Sequence, residues 1–101
     1  MFEIKADKQP IGKYADNPKV FTLNKIKLNK GDSFFIFSDG FADQFGGPKG
    51  KKFKQVQFKR ILLDNSSSEF TSQREILKHA FMDWKSNLEQ IDDVCIIGAK
   101  V

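Results

Sequence analysis

Two short runs, Phe34-Phe35-Ile36-Phe37 and Val94-Cys95-Ile96-Ile97, are apolar at every position. An extended backbone turns successive side chains to opposite faces, so both runs predict central strands covered on each side. Elsewhere the apolar residues recur at intervals. Ile76, Leu77, Ala80, Phe81 and Trp84 follow helical spacing behind Ser72 and Glu75, a capping-box pair, which predicts a helix over 72–86. Phe53, Val56, Ile61 and Leu62 fit a second helix. Phe21, Leu23, Ile26 and Leu28 alternate with polar residues on either side of a one-residue slip, predicting a half-buried strand with a bulge near Asn24-Lys25. Phe2 to Ala6 reads as a short edge strand.

Turn chemistry separates these elements. Gln9-Pro10-Ile11-Gly12 and Asn29-Lys30-Gly31-Asp32 read as turns, because proline fixes φ and glycine permits positive φ. Tyr14 to Lys19, the glycine-rich stretch from Gly46 to Gly50, and the serine-rich stretch from Asp64 to Glu69 read as loops. The expected fold class is therefore α+β, an antiparallel sheet with two helices on one face, in a single domain spanning 1–101. Two helices cover about one face of a small sheet. The other face needs a second copy or another layer of a larger domain.

Composition narrows the setting. At 101 residues, 40% hydrophobic and 30% charged, the chain holds one core rather than two. Eleven phenylalanines against one tryptophan and one tyrosine make that core poor in hydrogen-bonding groups. A single cysteine, Cys95, excludes an internal disulfide framework and fits a reducing compartment, so the expected location is the cytoplasm. No apolar stretch reaches membrane-spanning length, and no membrane partner is expected.

The candidate chemistry stands at the ends of the two apolar runs. Asp39 follows the first, and Asp92 and Asp93 precede the second. Antiparallel neighbours would bring these carboxylates to one rim. Clustered carboxylate oxygens with water suit Mg²⁺ or Mn²⁺, whereas one His and one Cys are too few for a typical zinc site. The same residue types also serve as plain turn formers, and the spacing alone does not separate the two readings.

Longer context adds to this. The stretch Leu28-Asn29-Lys30-Gly31-Asp32-Ser33-Phe34-Phe35-Ile36-Phe37-Ser38-Asp39-Gly40-Phe41-Ala42-Asp43 resembles a signature of SpoIIE-like phosphatases of the PPM (protein phosphatase 2C) type: a Gly-Asp turn, an apolar strand, Ser/Thr-Asp-Gly and an acidic residue. Asp92-Asp93-Val94-Cys95-Ile96-Ile97 resembles their closing Asp-Asp strand, and Gln9-Pro10-Ile11-Gly12 also matches. The resemblance implies the C-terminal half of an αββα sandwich. It implies Asp39 and Asp92 as metal ligands, Asp43 as an outer or third-metal ligand, and Gly40 and Asp93 as neighbours of the site, with Asp93 orienting the loop. The family's reaction uses two Mn²⁺ or Mg²⁺ ions to activate water against phosphoserine or phosphothreonine. The implied partners are a phosphorylated regulatory protein as substrate and an upstream sensory region. Two departures stand out. Cys95 replaces the usual Thr, and the Asp-Gly pair that bridges the metals in the family's upstream half has no counterpart in these residues. Weak single-metal binding and no activity of the chain alone are the expectations.

Other features read more simply. Lys49, Lys51, Lys52 and Lys54, with Lys59 and Arg60, form a solvated loop and helix start rather than a nucleic-acid surface. His79 reads as a helix-flank residue and Cys95 as a core thiol. The rival functional class is a non-catalytic interaction module, either a dimerising phosphatase half or a small basic nucleic-acid binder.

Overall fold

The computed structural model describes residues 3–5 and 23–101. Their element order is β1 (Ser33–Phe37), α1 (Gly40–Asp43), β2 (Phe45–Gly46), β3 (Lys51–Lys52), α2 (Gln55–Asp64), α3 (Phe70–Lys85) and β4 (Ile96–Lys100). The two apolar runs pair as antiparallel neighbours, β1 with β4, in the register Phe35↔Gly98, Ile36↔Ile97 and Phe37↔Ile96. The Asn29–Asp32 turn precedes β1. Gly31 sits there at φ +93°, in the left-handed region that glycine favours. The turn is closed by the Asp32 amide donating to the Asn29 carbonyl (3.0 Å) and the Asn29 amide donating to the Asp32 carboxylate (2.9 Å).

The helices α2 and α3 cover one face of this sheet. Phe35, Phe37 and Ile96 pack against a buried cluster of Phe41, Phe53, Phe58, Leu62, Leu77 and Phe81. Phe41 is its hub, with ring centroids 5.1–5.2 Å from Phe53, Phe58 and Phe81. Each tilted or edge-on pair adds about 0.5–1.5 kcal/mol to simple burial. Phe41 belongs to α1, so this four-residue helix is held by its side chain rather than by length.

Several expectations are corrected. Neither apolar run is covered on both faces by the described residues: Ile36 and Ile97 stand opposite each other and are 63% and 56% exposed. Val94 and Cys95 precede β4, which runs on to Lys100 instead, and Cys95 is exposed rather than core. Leu23 to Leu28 form no strand, nor do residues 3–5. The turn at residues 9–12, the loop at residues 14–19 and the remainder of both proposed strands lie outside the described residues. The second helix begins after Phe53 and turns Val56 outward (72% exposed), while Phe58 carries the packing. The last helix starts at Phe70, with Glu69 as its cap residue and no capping side chain, which leaves Ser72 and Glu75 inside its first turns.

The loop at Gly46–Gly50 contains a hairpin that the sequence pattern did not reveal. β2 pairs with β3 through Phe45↔Lys52 and Gly46↔Lys51. The hairpin docks on the end of α3, where the Gly47 amide donates to the Trp84 carbonyl (3.0 Å) and the Trp84 indole N–H donates to the Gln44 carbonyl (2.8 Å). Side chains at Gly46 and Gly47 would overlap Trp84, so glycine permits this approach.

Candidate functional site

Asp39 stands one residue beyond Ser38, the last residue to bond across the sheet, and two before the buried Phe41. Its backbone is helical (φ −75°, ψ −9°), and its carbonyl accepts the Asp43 amide at 2.9 Å. The core thus fixes Asp39 from its C-terminal side and the sheet fixes it from the other. Its carboxylate is exposed and accepts a long hydrogen bond from Gln55 Nε2 at 3.5 Å. Asp43 closes the same helix and pairs with Lys52 of the hairpin at 3.8 Å.

Asp92 and Asp93 approach from the other strand. The register that sets Phe37 opposite Ile96 carries both acidic segments out of the sheet at the same end. The Asp92 carboxylate accepts the Asp93 amide (2.8 Å), and its carbonyl accepts Gln90 Nε2 (2.9 Å). The Asp93 carbonyl meets the first strand: the Ser38 hydroxyl donates to it at 2.9 Å, while the Cys95 amide donates to that hydroxyl at 3.0 Å. Gly40 is buried against the same carbonyl, where any side chain would overlap it.

The side chains that the two acidic segments bring to this end of the sheet carry carboxylate oxygens, the type of donor that suits a hard divalent ion. Mg²⁺ commonly takes one or two carboxylates and keeps several waters, which the exposure of Asp39 and Asp92 allows. Among the described residues, no group of three or more His, Cys, Asp or Glu stands close enough to enclose an ion. His79 lies on α3 beside Glu75 (3.9 Å). Ser38 and Gln55 escaped the sequence reading. Ser38 lies inside the matched motif yet reads as a strand end, and no local pattern links Gln55 to Asp39 sixteen residues before it.

This arrangement is that of a partial PP2C-type α+β fold, with its acidic turns at one end of an antiparallel strand pair. The chain belongs to the SpoIIE family: the family model for Stage II sporulation protein E matches residues 1–101. It therefore falls among the SpoIIE-like PPM phosphatase domains. Among solved structures it is similar to the SiaA-PP2C domain of Pseudomonas aeruginosa, at 28% identity with a TM-score of 0.65. That match covers 68% of this chain and 28% of the other. Among curated protein sequences, none matches the chain significantly. No helix among the described residues is long and apolar enough to cross a membrane.

Proposed function

We propose that this chain is the C-terminal portion of a metal-dependent phosphoserine/phosphothreonine phosphatase domain. In this reading it acts in bacterial signalling, in the cytoplasm, on a phosphorylated regulatory protein and under an upstream sensory region. The observation that carries the reading is the meeting of Asp39 and Asp92–Asp93 at one end of a strand pair in a SpoIIE family member. Asp39 and Asp92 would hold Mn²⁺ or Mg²⁺, with Asp43 as an outer or third-metal ligand. Gln55 reaches the Asp39 carboxylate at 3.5 Å, and Lys52 lies 3.8 Å from the Asp43 carboxylate. When bound, the two ions of a complete site would supply an activated water and neutralise phosphate charge.

These residues supply part of a two-ion site, so the 101-residue chain binds one ion weakly and turns over no substrate by itself. The test is a Mn²⁺ titration followed by thermal shift, with an assay on p-nitrophenyl phosphate and a phosphopeptide. The expected result is a small stabilisation by Mn²⁺ that Asp39→Ala abolishes, without turnover. Stabilisation that survives Asp39→Ala would overturn the site. Robust turnover lost in Asp39→Ala would overturn the half-site reading. A second reading, a dimerising non-catalytic module, draws on the outward apolar row of Phe34, Ile36 and Ile97.

A further inference from the structure

We infer that Ser38 is a positioning residue that sets the spacing between the two acidic turns, an inference that rests on the metal-binding reading of Asp39 and Asp92. Past the Phe37↔Ile96 pair, the backbone ladder continues through one bond, from the Ser38 amide to the Cys95 carbonyl at 2.9 Å. The next bond comes from a side chain. The Cys95 amide donates to the Ser38 hydroxyl (3.0 Å), and that hydroxyl gives its one proton to the Asp93 carbonyl (2.9 Å). A serine hydroxyl offers one donor and two acceptor lone pairs, so a single group closes both backbone positions.

The consequence is geometric. Asp39 is bonded directly to Ser38, and Asp92 directly to Asp93. The hydroxyl bridge therefore joins the residues next to both carboxylate bearers, and little chain slack remains between bridge and ligands. Gly40 lies against the same Asp93 carbonyl, where its missing side chain lets the backbones approach closely. Asp93 thus acts through its backbone carbonyl, which accepts the Ser38 hydroxyl and lies against Gly40, while its own carboxylate makes no part of the bridge. Groups that orient metal ligands without touching the ion commonly change affinity by about 10–100-fold when removed.

The experiment compares Ser38→Val with Ser38→Thr, which match in shape and differ in the hydroxyl. Mn²⁺ affinity of the full 101-residue chain is read from the loss of the free-ion EPR signal, with thermal melts in parallel. Ser38→Val is expected to weaken Mn²⁺ roughly tenfold. Ser38→Thr should restore affinity, and amide exchange at Cys95 should quicken only in the valine variant. Asp39→Asn separates the two ideas. If it leaves Mn²⁺ binding intact, the metal site itself is wrong. If it removes binding while Ser38→Val binds as tightly as the parent, the positioning role is wrong. A valine variant that no longer melts cooperatively is judged by amide exchange in Ser38→Thr and parent: faster exchange at Cys95 in the threonine variant would overturn the bridge, and equal protection would support it.

Discussion

Gly40 and the carbonyl oxygen of Asp93 touch where the two acidic turns meet, leaving no space for a side chain between them. The glycine does not owe this to an unusual backbone, since it is the first residue of α1. It is there so that two chains can approach. Gly40→Ala should force the Asp93 segment away and cost about 1–3 kcal/mol, as overpacking of a filled contact does. Urea melts measure this. A cost below about 0.5 kcal/mol, the usual range of neutral surface changes, would mean the segment yields freely.

The sheet face of α3 is narrower than its hydrophobic spacing predicts. Leu77 and Phe81 are buried and Trp84 is half-buried, while Ile76 lies at the flank and keeps 37% of its surface in water. Phe81→Ala should therefore cost about 3–5 kcal/mol, by transfer and cavity terms together. Ile76→Ala should cost less, about 1–2 kcal/mol, because part of that side chain is already in water. Denaturant melts of the two variants check the contrast, and equal costs would refute the assigned face.

Trp84 joins α3 to the hairpin through its indole N–H on the Gln44 carbonyl and its ring edge on Phe53, at 5.3 Å between centroids. Trp84→Phe keeps an aromatic body but removes the donor. The Gln44 carbonyl still receives the Phe53 amide at 3.0 Å, so no acceptor is orphaned. The expected cost is about 1–3 kcal/mol: the lost hydrogen bond accounts for about 0.5–1.5 kcal/mol, and loss of the fused ring that packs on Gly47 adds to it. A thermal melt should show it as a drop, and an unchanged melting temperature would mean that neither the indole bond nor its packing on the hairpin contributes.

The strand pair was legible because each apolar run is bounded by residues that stop a strand: Gly31-Asp32 before the first, Asp39-Gly40 after it and Asp92-Asp93 before the second. The same boundaries marked the acidic rim. What escaped had no local signature. A hairpin of two-residue strands around Gly47-Pro48-Lys49-Gly50 has too few positions for alternation to appear, and its docking depends on Trp84 more than thirty residues away. Ser72 and Glu75 have the spacing of a capping box, yet α3 reaches back to Phe70, and Gln73 Nε2 bonds the Ser68 carbonyl (2.8 Å) just ahead of it. Phe41 went unrecognised as the core hub for a related reason. It follows a turn signal, and only the tertiary fold shows its ring meeting Phe53, Phe58 and Phe81.

The outward face of the strand pair sets a last expectation. Phe34, Ile36 and Ile97 alternate with inward residues and lie on one side, with Ile36 directly opposite Ile97. Contiguous apolar surface of this kind is a common origin of association. The chain should therefore scatter light as more than one 11.6 kDa unit, in a concentration-dependent way. Replacing Ile36 and Ile97 together by threonine keeps β-branched side chains, and so strand preference, while making the face polar. That double variant should scatter as a single chain with unchanged far-UV circular dichroism. Association that persists in the variant would place the contact elsewhere, and a parent that is monomeric at every concentration would mean that this face needs no partner.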